Sequence, residues 1–339
     1  METRKIVAPA LVALLAAAAL STGCGAPAAA PPAAAKYPTK PITMIVPYPA
    51  GGTADMMARA MEKLAKQYLG QQLVITNIPG GAATNGWNEL AGAKADGYTI
   101  GYVGNGIILQ PLYSQTRYHY PTALEPLAQA GSIPVAIVAL ADQPWKSVDE
   151  LVKYAKEHPG EIKFGHSGIG SGNHIAGEMF AKEAGVNIAQ VPFRGEAEAL
   201  AALLGRHIQL MVTSLPAVKD HMKTGKVRVL AQTGEKRLTD PDFKDVPTFK
   251  EHGLNVVMNI WHGLGAPKGL PEDVKARLVE GFKGIMNDPE FKKTMDAMSM
   301  GVEYQGPKEF AGTWTADAAR LTKIVQETGI AERIASQKN

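Results

Sequence analysis

Two glycine-rich turns hold the residues of this chain best suited to chemistry. The first runs Tyr48-Pro49-Ala50-Gly51-Gly52-Thr53-Ala54-Asp55, and the second Gly165-His166-Ser167-Gly168-Ile169-Gly170-Ser171-Gly172-Asn173-His174. Each lies between a short β-rich run and a helical pattern. Glycines leave backbone N–H groups unobstructed, and a helix start adds positive potential, so such a turn can hold an anion without any cation. Gly and Ser also suit βα turns on conformational grounds alone. Two long turns of this kind, in separate halves of the chain, point to a binding cleft more strongly than one would.

The patterns that catalysis needs are broken at specific positions. A nucleophile elbow requires Gly-x-Ser-x-Gly, but Ile169 stands at the last position around Ser167 and at the first around Ser171. The run from Gly168 to Gly172 begins like a dinucleotide loop, yet Asn173 occupies the third glycine position. Gly225-Lys226 is followed by Val227, so there is no phosphate-loop signature. The 8 histidines are scattered, and His166 and His174 suit hydrogen bonding or capping better than metal ligation. No close pair of acids suggests acid–base work. The sequence therefore predicts no enzyme, no cofactor and no resident metal.

The 339 residues are 45% hydrophobic and 20% charged with a formal charge of +3, a globular balance with room for one large domain or two. No dense Lys/Arg stripe exists, which argues against a nucleic-acid partner. Arg4 and Lys5 precede an apolar run over 6–20, too short to span a bilayer, and Ser21, Thr22 and Gly23 lead to Cys24, the only cysteine. Residues 1–23 resemble a bacterial lipoprotein signal, with Cys24 as the lipidated residue; an ordinary secretory signal is the alternative. The Ala/Pro-rich stretch 24–36 reads as a tether.

From residue 41 onward, strands alternate with helices, the pattern of βαβ units and an α/β fold. Strands are expected over 42–46, 73–76, 98–103, 133–140, 162–164, 188–191, 208–212 and 227–231, and helices over 53–69, 148–156, 270–286, 289–298 and 307–328. Ligands of open parallel sheets bind where strand ends meet helix starts. Both glycine-rich turns lie at such places.

At this point the ordered markers resemble a known family, the periplasmic substrate-binding proteins of tripartite tricarboxylate transporters, also called Bug receptors. The markers are Tyr37-Pro38 with Lys40-Pro41-Ile42, Val46-Pro47-Tyr48-Pro49-Ala50-Gly51-Gly52 with Asp55, Asn77 with Pro79-Gly80, and Asp96-Gly97-Tyr98-Thr99. They continue through Gly168, Gly170-Ser171, His174, Gly177-Glu178, Val191-Pro192-Phe193-Arg194-Gly195, Asp245-Val246-Pro247-Thr248 and Trp261 with Gly263-Leu264. The resemblance implies a type II periplasmic-binding-protein fold, with two α/β lobes closing on a small carboxylate. It places 37–136 and 260–339 in lobe 1 and 137–259 in lobe 2.

Carried over by position, the resemblance implies a ligand site of Tyr48, Ala50, Gly51, Gly52, Thr53, Asp55, Asn105, Ser167, Ser171, Gly172, His174, Phe193, Arg194, Thr213 and Ser214. Arg194 either pairs with the ligand or makes a salt bridge on the lobe surface. The implied partners are the membrane subunits of a transporter and, through Cys24, a membrane; the receptor itself is expected to be a monomer outside the cytoplasm. A ligand-binding sensor signalling through a membrane partner is the other reading. Thr213-Ser214 stands where many relatives carry Asp-Asn, which removes an acid from the cleft and with it the charge partner of a ligand amine. Ala50 and Ile78 stand where relatives have Pro and Arg.

Overall fold

The computed structural model describes residues 37–297, 300–329 and 331–332. The expected signal, the tether and Cys24 lie outside the described residues. The strands are β1 (Ile42–Val46), β2 (Leu73–Asn77), β3 (Thr99–Val103), β4 (Leu124–Leu140), β5 (Lys163–His166), β6 (Ala189–Pro192), β7 (Leu210–Ser214), β8 (Val227–Gln232) and β9 (Asn259–Pro267), with β-branched runs clearest in β1, β2 and the second part of β4. Between them lie α1 (Thr53–Leu69), α2 (Thr84–Gly92), α3 (Gly106–Tyr113), α4 (Tyr120–Ala123), α5 (Val148–Glu157), α6 (Gly172–Ala184), α7 (Glu196–Leu204) and α8 (Lys219–Lys223). Three further helices follow β9: α9 (Glu272–Asn287), α10 (Pro289–Ala297) and α11 (Pro307–Thr328).

Hydrogen-bonded neighbours run in the order β2-β1-β3-β9-β4-β7-β5-β6, and β8 also pairs with β4. β1 is parallel to β2 and β3, and β5 is parallel to β6 and β7, as βαβ connections require. The 17-residue β4 joins these two halves. Its first part, from Leu124 to Pro134, is antiparallel to β9, and its second part, from Val135 to Leu140, is antiparallel to β7 and β8. The sequence predicts β4 only from residue 133. Glu125, Pro126 and Gln129 interrupt the apolar run before that, so the pairing with β9 leaves no local hydrophobic signature.

Helices α1 and α9 cover the first half-sheet, burying Met57, Met61, Leu64, Leu278 and Phe282 against Met44 and Ile100. In the second half, Leu203 and Phe243 pack against Val138 and Met211. A third cluster runs through both halves, taking in Val103, Val135, Phe164, Phe180, Trp261 and Phe310. Trp261, on β9, stacks near Trp314 and meets the edge of Phe310, and its Nε1 donates to Asp317.

Polar residues at the start of β4 keep partners. The buried Glu125 carboxylate accepts from the N–H groups of Gly269 and Leu270 and pairs with Lys275, which fastens β4 to the entry of α9. Burial pushes this carboxyl up, but Lys275 and the two N–H groups outweigh it and hold the group below its ordinary value. A depressed pKa contributes stability above the unfolded-state value and loses it as pH falls through the folded-state value. Glu125→Gln is therefore expected to lower the unfolding free energy by about 1–3 kcal/mol at neutral pH. Urea unfolding at a series of pH values should show the gap between variant and wild type closing on acidification.

Candidate ligand site

The first glycine-rich turn leaves β1 and enters α1 through Gly51, whose φ of +88° favours glycine. Asp55 fastens it. Its buried carboxylate accepts from Gly51 N (3.0 Å), Asn77 Nδ2 (3.0 Å) and Arg59 Nε (3.1 Å), while Asn77 Nδ2 also donates to the Tyr48 carbonyl. Burial opposes ionisation of Asp55, but these donors hold its carboxyl below the ordinary value. The N-cap of α1 is Gly52, which offers no side-chain cap, so the first-turn N–H groups have no side-chain acceptor. A Cβ built on Gly52 would meet nothing within 4 Å.

The second turn leaves β5 and enters α6. Here Ser171 is the N-cap, and its hydroxyl accepts from His174 N at 3.2 Å. The His174 ring lies beneath the turn, fully buried, where Nδ1 accepts from Gly170 N at 3.0 Å. It stacks on His166 with centroids 4.2 Å apart. Burial, aided by the neighbouring His174, pushes His166 down to about 3.

Between the two turns lies a cavity of about 60 Å³, lined from the first half by Tyr48, Gly52, Thr53, Tyr102 and Asn105, and from the second by Ser167, Ser171, Gly172, Asn173, Glu196 and Ser214. Ile260 and His262, on β9, complete it, and no Lys or Arg is among the lining residues. The halves meet across it. Thr53 Oγ1 lies 2.7 Å from Ser214 Oγ, and Gln110 Nε2 donates to the Ile169 carbonyl at 2.8 Å.

The side chain that organises this cavity is Glu196, the first residue of α7. Its carboxylate accepts from Thr53 Oγ1 (2.8 Å), Ser214 Oγ (2.7 Å), Ser214 N (3.0 Å), Thr213 Oγ1 (3.0 Å) and Asn173 Nδ2 (3.3 Å). Five neutral donors satisfy it, and no cation among the described residues pairs with it. Its charge is felt around the cavity. Burial pushes the phenols of Tyr48 and Tyr102 far up, and Glu196 pushes both further. Burial takes His262 down to about 4, with Glu196 pulling the other way. His262 Nδ1 lies 3.0 Å from Tyr102 Oη, and its Nε2 is buried without a partner.

Of the expected site residues, Tyr48, Gly52, Thr53, Asn105, Ser167, Ser171, Gly172 and Ser214 are brought together around this cavity. Asn105 is already committed there, donating to Asn259 O and Asp317 Oδ2 and accepting from Trp261 N. Ala50 and Gly51 are exposed outside the lining, and the Gly51 N–H is spent on Asp55. Asp55 and His174 lie behind the turns, while Thr213 touches Glu196 from behind. Phe193 and Arg194 line a separate outer cavity of about 620 Å³, and the exposed Arg194 guanidinium pairs with Glu198 at 3.5 Å. The expectation that the cleft lacks an acid does not hold, because Glu196 supplies one from another element. Sequence reasoning passed over Glu196, Asn173, Tyr102 and His262. A signal for Glu196 existed, since Arg194-Gly195-Glu196 is a third strand-to-helix turn.

A family model described as the tripartite tricarboxylate transporter family receptor matches residues 57–330. Protein BugT of Bordetella pertussis strain Tohama I is 30% identical over 308 residues, covering 89% of this chain and 93% of BugT. The solved structure of the periplasmic binding protein BugD superposes with a TM-score of 0.82 at 30% identity, covering 87% of this chain and 99% of that one. Rpa4515 from R. palustris, solved with adipate, gives 0.82 at 29% identity with the same coverage.

Because the Ser171 hydroxyl is committed as a cap, Ser171→Ala is expected to lower stability by about 1 kcal/mol without any ligand present. Ser171→Gly should cost only a few tenths of that scale, about 0.3 kcal/mol. Chemical denaturation of the two variants beside wild type measures the difference, and equal losses would mean that the hydroxyl is no cap.

Proposed function

The chain belongs to the tripartite tricarboxylate transporter receptor family, and from that premise we propose that it is an extracytoplasmic receptor that closes on a small carboxylate and delivers it to the membrane subunits of such a transporter. The observation that carries the ligand class is the start of α1, where Gly52, Thr53 and Ala54 line the cavity with no side chain capping the helix. Oriented N–H groups and the helix potential stabilise a carboxylate there without a cation. The adipate held by Rpa4515 supports the same class. Ser171 and Gly172 face this turn from the other side, and Ser171 still has its hydroxyl hydrogen to donate.

In this reading the lobes are 37–136 with 260–339, and 137–259. Its support is the way β4 changes partners, from β9 to β7 and β8, between Pro134 and Val135. Opening about these crossing strands would part Thr53 from Ser214 and admit solute. Cys24 carries the lipid that holds the protein at a membrane, with 24–36 as the tether.

A hydrogen bond to a charged group contributes about 1.5–3 kcal/mol, and a helix N-terminus about 0.3–1 kcal/mol more. Several such contacts, less the cost of immobilising a small acid, fit an affinity in the micromolar range, near about −8 kcal/mol. A thermal-shift screen of mono-, di- and tricarboxylates is the test; a ligand at about 100 times its Kd should add about 2.7 kcal/mol. The methyl ester of any hit is expected to bind at least about a hundredfold worse than the acid, since it lacks the charge. Equal binding of acid and ester would remove the anion-grip mechanism. For the anchor, Cys24→Ala should move the protein from the membrane to the soluble extracytoplasmic fraction, or leave it unprocessed. Wild type found wholly in the soluble fraction would end that claim.

A further inference from the structure

The cavity has two ends of opposite character. At one, the unspent donors are the first-turn N–H groups of α1. At the other, Glu196 gathers the hydroxyls of Thr53, Thr213 and Ser214, so these are directed at a resident anion and away from an incoming one. Beside it Asn173 donates its Nδ2 to Glu196, which fixes the amide orientation and leaves Oδ1, buried, with no partner. That corner therefore holds a carboxylate and, covered beside it, an unpaired amide oxygen, and no Lys or Arg lines the cavity to neutralise the charge. Glu196 is half-buried, so its charge without a counter-charge carries part of the cost of a buried one, and the unpaired buried acceptor of Asn173 adds to it. A second carboxylate pressed into the same corner would meet like charge.

We infer that the ligand carries a cationic nitrogen beside its carboxylate, so that its ammonium sits against Glu196 and Asn173 while its carboxylate takes the α1 N-terminus. The ligand class is a small amino acid-like zwitterion. This deepens the carboxylate-receptor reading above and rests on it. An ammonium has three donors and no acceptor, and Glu196 Oε2, which among the described residues accepts from Thr53 only, has lone-pair capacity left for one of them. The acid missing from Thr213-Ser214 is thus replaced from α7.

The test is isothermal titration of the mature protein with matched pairs differing only by an amine: L-alanine and propionate, β-alanine and propionate, γ-aminobutyrate and butyrate, L-aspartate and succinate. Wild type should bind the amine-bearing member of at least one pair at least tenfold more tightly. Glu196→Gln, which keeps the size and an acceptor oxygen but drops the charge, should cut that ratio at least tenfold by weakening the amine-bearing ligand. The wild-type comparison stands even if the variant fails to fold. Tighter binding of the plain acids by wild type overturns the zwitterion and leaves the carboxylate receptor standing. A Glu196→Gln protein that gains affinity for plain acids with no loss for amines also overturns it, making Glu196 a stand-in for a ligand carboxylate. If no member of any pair binds while other acids do, the amino-acid class is wrong; if no carboxylate binds at all, the reading beneath it falls too.

Discussion

One strand belongs to both half-sheets, and the position of the cleft follows from that. The backbone groups of β4 are spent first on β9 and then on β7 and β8, so the two halves cannot separate without bending the same chain segment. Buried N–H and C=O groups must keep partners, which makes the strand resist fraying. Because β1 and β5 run parallel to their neighbours, their carboxyl ends and the helices after them come to opposite walls of one gap. Two helix starts facing each other are thus a consequence of topology. The glycines of the turns then decide how closely anything can approach them.

The electrostatics of the gap rest on neutral groups. Asp55 and His174 sit behind their turns and fix backbone N–H groups in place, Asp55 by taking Gly51 N and His174 by taking Gly170 N. Neither touches the cavity, yet each removes conformational freedom from a segment that does. The pre-organised turn then need not be ordered when a ligand arrives, which is where much of a small ligand's affinity is otherwise lost. Glu196 is the one charge on the wall. Hydroxyls from both halves converge on it, Thr53 from α1 and Ser214 from β7, so the same carboxylate that sets the field also draws the halves together.

Elements with local punctuation were legible in the sequence. Helix α1 begins after Gly52 and ends at Gly70 in the left-handed region, and α11 begins at Pro307 after Gly306; both run over the expected residues. The first part of β4 was not legible, because Glu125 and Gln129 find partners in Leu270 and Gln305, far along the chain. The site divides the same way. Gly52, Thr53, Ser167, Ser171 and Gly172 reach the cavity because they lie on the turns themselves, whose composition is a local signal. Whether a side chain on such a turn faces the gap or braces the backbone depends on its partners. Asp55 finds Asn77, 22 residues on, and turns away. Glu196 finds Thr53, 143 residues back, and turns in. Sequence spacing carries neither fact.

Selectivity in such a cavity comes from what a poor ligand leaves unpaired. In the proposed reading the α1 N–H groups reward any carboxylate, so they would separate acids from esters but not one acid from another. The Glu196 corner is different in kind. A plain acid placed against it leaves the Glu196 charge without a counter-charge and the Asn173 oxygen without a donor, and sites built around polar partners reject analogues that lack them far more strongly than apolar pockets reject a missing methylene. In the proposed reading, the backbone N–H groups of the turns supply affinity for a class. A residue at the start of α7, outside both glycine-rich turns, is where this chain can narrow that class.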